Sequence, residues 1–188
     1  MVSLNAFVVD AFAKTVFRGN PAAVVPLAEW LPIETLQAIA TEHNLVETVF
    51  FVPTVPTVPT GHIGHTGPGE YHIRWFTPVE EMDLCGHATV AAAFVIEQFL
   101  HVGIKEIRFS SLSGPLGVAI SDAIYTLDFP SRPPAETSPH ELLLAGMRET
   151  PDNVLGSKRD YFWSMRMLTS SGILHQRCHI WRSWIEPA

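Results

Sequence analysis

Hydrophobic side chains along this chain recur in two rhythms. Tyr71 to Phe76 alternates with period two, Tyr71, Ile73 and Trp75 on one face and His72, Arg74 and Phe76 on the other, as in a strand. Short apolar runs bounded by turn residues at 4–9, 22–27, 47–52, 106–110, 115–120 and 124–129 read as further strands. From Ile33 to His43, the residues Ile33, Leu36, Ile39 and Ala40 recur at helical spacing and predict an amphipathic helix. Ala88 to Leu100 (ATVAAAFVIEQFL) is different, being rich in good helix formers with almost no polar side. In water such a helix must be surrounded by protein, and strands flank it in sequence before and after. The architecture this predicts is α+β: a mixed β-sheet or barrel wrapped around one central buried helix.

Punctuation divides the chain. Arg18-Gly19-Asn20-Pro21 is a turn signal, and the proline- and glycine-rich stretch 53–69 reads as an irregular loop. Pro133-Pro134 marks a linker after an N-terminal lobe over 1–130, and 139–147 (PHELLLAGM) reads as a short helix in the start of a second lobe, 131–162. Composition changes after Phe162. Residues 163–188 hold Trp163, Trp181 and Trp184 and carry three arginines against one acid, Glu186, within a chain of net charge −7. No sustained period of 2 or 3.6 runs through them, so 163–188 is expected to be an atypical tail, poorly ordered or loosely docked through its aromatic residues.

With 188 residues, the chain is long enough for one ordinary domain or two small ones. At 47% hydrophobic and 16% charged it can build a core and does not have the composition of a disordered chain. The acidic balance argues against a nucleic-acid groove or an anionic membrane surface as partner. No apolar run approaches the roughly 20 residues of a bilayer-crossing helix. Met1 to Asn5 lacks the basic and apolar regions of a secretion signal. The two cysteines, Cys85 and Cys178, sit in unlike surroundings, so a disulfide framework fits poorly and a reducing, cytoplasmic compartment fits best.

Glu47 follows Asn44-Leu45-Val46 just past a predicted helix, at the start of an apolar strand. A carboxyl group held against apolar walls has its pKa raised by desolvation, which a general acid or base working near neutral pH requires. Gly86-His87-Ala88-Thr89 lies where the apolar helix begins. The first N–H groups of a helix lack internal partners and sit at the positive end of its dipole, so they favour carboxylates. Gly86 would let a ligand approach the backbone, and His87 could hydrogen-bond a carboxylate or pass a proton. A solvated glutamate at a helix–strand junction and a histidine that merely caps a helix are the plainer readings of these residues. His62 and His65, with His72 beyond, lack a carboxylate or cysteine at a recognised zinc spacing and read as loop residues. Asp10 and Asp83 read as structural polar residues at strand and turn ends. No phosphate loop or dinucleotide fingerprint is present.

Three clusters stand in order: Phe17-Arg18-Gly19-Asn20-Pro21-Ala22-Ala23-Val24-Val25, Asn44-Leu45-Val46-Glu47-Thr48, and Arg74-Trp75-Phe76-Thr77-Pro78 running on to Asp83-Leu84-Cys85-Gly86-His87-Ala88-Thr89. Together they resemble the phenazine-biosynthesis (PhzF-like) isomerase family over about 160 residues. The resemblance implies the diaminopimelate-epimerase-like fold, in which each of two similar halves wraps a sheet around a central helix. It implies that Glu47 shuttles a proton, that His87 belongs to the active site, and that Asn20, Gly86, Ala88 and Thr89 line the substrate. It implies no metal and no organic cofactor, and a small carboxylate metabolite as substrate. A truncated second half would leave unpaired strand edges and uncovered apolar surface, so a homo-oligomer is expected. Glu47 and His87 are expected to face a common cleft.

Leu84-Cys85-Gly86-His87 is also similar to the cysteine loop of cofactor-independent racemases and epimerases, where a thiolate at a helix start removes a Cα proton. Those enzymes use a second cysteine; Cys178 has no glycine-rich helix start beside it, which favours Cys85 as a small buried residue. Arg159-Asp160-Tyr161-Phe162 still resembles the family's entry into its second half, but the aspartate and the glycine-serine-alanine motif expected there cannot be placed. A shifted reading frame or a premature end would produce such a change. The competing expectation is therefore a catalytically incomplete binding or interaction module that retains the fold.

Overall fold

Seven hydrogen-bonded strands in one path, with an eighth short strand paired to their middle, build the first of two bodies. The computed structural model describes residues 3–15, 17–54, 69–147, 151–157, 160–168 and 174–182. These divide into Met1–Pro130 and Ser131–Ala188. The proline-rich loop, including His62 and His65, lies almost wholly outside the described residues.

The first body contains β1 (Phe7–Ala11), β2 (Asn20–Pro26), α1 (Ile33–His43), β3 (Glu47–Pro53), β4 (Glu70–Phe76), β5 (Glu81–Met82), α2 (Gly86–Val95), β6 (Glu106–Ser111), β7 (Gly114–Ser121) and β8 (Ile124–Asp128). The sheet order is β1-β2-β3-β4-β6-β7-β8, with β5 on β4. β2/β3 and β4/β6 are parallel and the other pairs antiparallel, so the sheet is mixed. Both edge strands, β1 and β8, pack on α2. A flat sheet of this width would hold its edges roughly 30 Å apart, against a helix only about 10 Å across. The sheet must therefore curl around α2.

Period-two alternation decides what each face buries. Ala22, Val24, Val49, Phe51, Tyr71, Ile73, Trp75, Ile107, Phe109, Leu116 and Val118 face α2 and form one core with Ala88, Ala91, Ala92, Ala93 and Val95. The alternate residues Val25, Phe50, Val52 and Phe76 form a second core against Leu36 and Ala40 of α1. Alanines on α2 let the curled sheet approach the helix closely, while the sheet supplies the large side chains.

The chain departs from expectation in four places. β1 begins at Phe7 rather than Leu4, because β2 ends at Pro26, which has no N–H to extend the ladder. α2 does not run unbroken to Leu100: Ile96–Leu100 is a π-helical turn, closed by the His101 N–H on the Ile96 carbonyl at 2.6 Å. Burial ends with it. Ile96 is enclosed, Gln98 and Phe99 are exposed, and Phe99 rests its ring on Phe7 at 5.0 Å between centroids. The two-residue strand β5 is too short to leave a pattern in sequence.

The fourth departure is in the second body. It contains β9 (Ala135–Glu136), α3 (Glu141–Ala145), β10 (Asn153–Gly156), β11 (Asp160–Leu168) and β12 (Leu174–Arg182), in sheet order β12-β11-β10-β9. The side-chain pattern predicts no strand over 163–188, yet β11 crosses Phe162 without a break and pairs antiparallel with β12 from Asp160↔Arg182 to Leu168↔Leu174. Backbone pairing does not need side-chain alternation; alternation reports one-sided burial, and a ladder can form without it.

Candidate active site

Strand direction brings the motif residues to one end of the curled sheet. β2 and β3 are parallel and both begin there, with Ala22 paired to Glu47 and Asn20 two residues earlier on the same face. β1 is antiparallel to β2, so Ala11 ends beside Asn20. β4 ends there at Phe76, turns through Thr77–Glu80 and returns as β5, with Met82 opposite Trp75. A few residues later α2 begins.

Glu47 is only 3% exposed. Parity with Val49 and Phe51 turns it toward α2, at the last position before the strand leaves the core. Its neighbour Thr48 faces the other way, where the His43 imidazole lies 3.4 Å from its hydroxyl. Asn44 closes α1 in the left-handed conformation (φ 50°), its N–H on the Ala40 carbonyl, and so turns the chain from helix into β3 within two residues. Asn20, half-buried, shares the Glu47 face. The turn before it is held by Asp10, whose carboxylate accepts the Gly19 N–H at 3.2 Å. Gly19 is required there, because a Cβ would stand 2.3 Å from the Ala11 carbonyl oxygen. Trp75 lies on the same face of β4, paired with Val49, buried and with no acceptor for its indole N–H among the described residues.

α2 starts from Cys85 in extended backbone (φ −142°, ψ 117°), and the Cys85 side chain makes no capping hydrogen bond to the first turn. The N–H groups of Gly86, His87 and Ala88 precede the first intrahelical bond, which runs from the Thr89 N–H to the Cys85 carbonyl at 3.3 Å. A Cβ on Gly86 would meet only Phe129 at 3.6 Å, an ordinary contact, so packing in this body does not demand glycine there. The imidazole of His87 meets Cys85, with Nδ1 and Sγ 3.3 Å apart. Ala88 is fully buried, leaving only its backbone for a ligand. Thr89 is also buried, and its hydroxyl donates to the Cys85 carbonyl at 2.6 Å, an intrahelical use the sequence did not suggest. Ser113, in the β6–β7 turn, donates to the Asp83 carbonyl at 2.6 Å and ties down the approach to the helix.

The apolar side chains Phe12, Phe17, Val46, Val79 and Leu112 all occupy turns at this end and are exposed, Phe17 to 93%. Phe12 and Phe17 adopt positive φ (61° and 66°), a strained choice for bulky residues. Their clustering around the site left no periodic signal in sequence. Away from this end, His72 accepts the Trp30 indole N–H at 3.2 Å and no group of three or more metal-ligating side chains occurs among the described residues. Nor is any helix among them long and apolar enough to cross a membrane.

A sheet curled about an apolar helix, with a buried carboxylate and an imidazole at the end where the helix starts, defines the class of protein. Comparison with known sequences gives the family. Residues 9–147 match the PhzC/PhzF family, described as phenazine biosynthesis-like protein, and the chain belongs to it. It is 42% identical over 146 residues to an uncharacterized isomerase of Pseudomonas aeruginosa, covering 78% of this chain and 51% of that protein. A PhzF-family crystal structure from Enterococcus faecalis superposes with a TM-score of 0.64 at 40% identity, over 82% of this chain and 54% of that one. A predicted epimerase from Pseudomonas aeruginosa, at 24% identity and a TM-score of 0.51 over 65% of this chain and 41% of that one, shares the fold. The chain spans about half the length of the curated relatives it matches, 51% and 52% of the first two.

Proposed function

We propose that this chain carries the proton-transferring half of an isomerase that acts on a small carboxylate metabolite. Glu47 moves the proton directly between side chain and substrate. His87 and the N–H groups of the first α2 turn hold the substrate carboxylate, with Asn20 beside it and Gly86 leaving room for its approach. Ala88 contributes its backbone, and Thr89 acts by holding the Cys85 carbonyl. The observation that carries this reading is the burial of Glu47 at the end of the sheet where α2 begins, since a carboxyl group is rarely enclosed there without a task. The test is proton exchange: the protein is incubated in D2O with a panel of small carboxylic acids, and deuterium incorporation is followed by NMR. Glu47→Gln is expected to lower exchange by about 10²-fold or more. Exchange that survives Glu47→Gln but is lost on alkylating Cys85 would assign the chemistry to a cysteine-based racemase instead.

A second reading is a non-catalytic binding or interaction module that retains the fold, with the N–H groups at the start of α2 as its carboxylate-binding element. It predicts shifts in the α2 amide resonances with the same acids and no exchange. We further propose that the protein works in the cytoplasm, in keeping with Cys85 standing as a buried thiol outside any disulfide, and self-associates. The exposed turn residues support association, as does a cleft of about 450 Å³ between edge strands β1 and β8, floored by Val90 and Phe94. A clean monomer by light scattering at high concentration would count against it.

A further inference from the structure

We propose that Cys85 is a positioning residue for His87: its thiol donates to Nδ1 and so fixes the neutral imidazole with its proton on Nε2. This rests on the reading of His87 as a carboxylate-holding group. Sγ and Nδ1 are 3.3 Å apart, within reach of a sulfur hydrogen bond, and the thiol side chain is enclosed, 5% exposed. Its backbone is pinned as well, because Thr89 grips the Cys85 carbonyl with both hydroxyl (2.6 Å) and N–H (3.3 Å). The chain of contacts therefore runs from Thr89, through the start of the helix, to Cys85 and on to the imidazole. A thiol can donate one proton, and a neutral imidazole has one acceptor nitrogen; which nitrogen keeps the proton is set by the bond the other makes. With Nδ1 occupied, Nε2–H is the donor left for a carboxylate. An imidazole free to exchange tautomers or flip about χ2 would present that donor only part of the time. In this neutral pair Cys85 acts by holding the imidazole, in place of the thiolate role of a racemase nucleophile.

The test needs no substrate, so it stands apart from the test of Glu47. Histidine is labelled with 15N in the intact chain, and the Nδ1 and Nε2 shifts of His87 are read above its titration, with circular dichroism confirming the fold. The wild type is expected to show one well-defined Nε2–H tautomer. Cys85→Ala should move both nitrogens toward the averaged shifts of a free imidazole, and Cys85→Ser, which keeps a donor, should restore much of the separation. Thr89→Val, which removes the hydroxyl from the Cys85 carbonyl, should produce a smaller shift in the same sense. Identical His87 shifts in wild type and Cys85→Ala overturn the proposal. So does thiolate absorbance near neutral pH that disappears in Cys85→Ser, because the pair would then be thiolate and imidazolium.

Discussion

The two bodies of this chain are both built mainly of strands, yet they bury their side chains differently. In Met1–Pro130 the helix α2 gives the sheet something to close on, and Phe50, Phe51, Ile73, Trp75 and Phe76 are all but completely enclosed. In Ser131–Ala188 the one described helix is the five-residue α3, and Val154, Leu155, Tyr161, Phe162 and Trp163 are only half-buried. Among the described residues of the second body, no long apolar helix covers a face of the sheet. The contrast teaches that backbone pairing and core formation are separable: among the described residues, the closed core of large side chains lies in the first body.

Truncation of a large side chain sharpens the contrast most. Phe51→Ala should cost about 3–5 kcal/mol in denaturant unfolding of the first body, because the cavity forms in a closed core. Phe162→Ala should cost about 1–2 kcal/mol, since a half-buried ring gives up less apolar area. Equal costs would break the comparison and show the second body to be as tightly cored as the first.

Alkaline stability probes the same core without a cavity. Burial pushes the Tyr71 hydroxyl up to about 12 from an ordinary value near 10. The folded state then holds its proton between those values while the unfolded chain gives it up, so the stabilising contribution is complete below pH 10 and fades as pH rises toward 12. The decline should be on the order of 2 kcal/mol, and Tyr71→Phe should remove it from a stability–pH curve. Some slope will survive, because burial also raises Tyr125. A curve for Tyr71→Phe as steep as wild type would mean that the ring is wetter than its packing against Phe51 and Phe109 indicates.

Gly86→Ala should have the smallest effect on folding. Its added methyl meets only Phe129 at 3.6 Å, so unfolding free energy should change by less than about 1 kcal/mol. Carboxylate binding, followed by the α2 amide shifts, should weaken all the same. A stability loss well above that figure would show that the glycine serves the core and not the ligand.

Much of the first body is legible in the order of its residues alone. The strand from Tyr71 to Phe76, the amphipathic α1 and the all-round apolar α2 each follow from side-chain rhythm, and the sheet around the helix follows from α2 alone. The motif residues are legible as types: a glutamate at a strand start and a histidine at a helix start. Their shared end of the sheet is not, because strand order and direction are long-range facts; only the parallel β2/β3 and β4/β6 registers bring Asn20, Glu47 and Gly86 to the same end. Nor is the hairpin of β11 and β12, whose ladder of backbone hydrogen bonds is indifferent to the missing alternation.

What the sequence by itself determined is therefore local: which residues are helical or extended, which faces are apolar, and which chemical groups stand at element boundaries. The tertiary structure alone decided which boundaries meet, that α2 loosens into a π-helical turn at Ile96, and that the Cys85 thiol lies against His87 while Thr89 turns inward. The physical reason is one of range. Side-chain period and capping act over a few residues, whereas the placing of Glu47 at the end of the sheet where α2 begins depends on how a curled sheet closes around its helix.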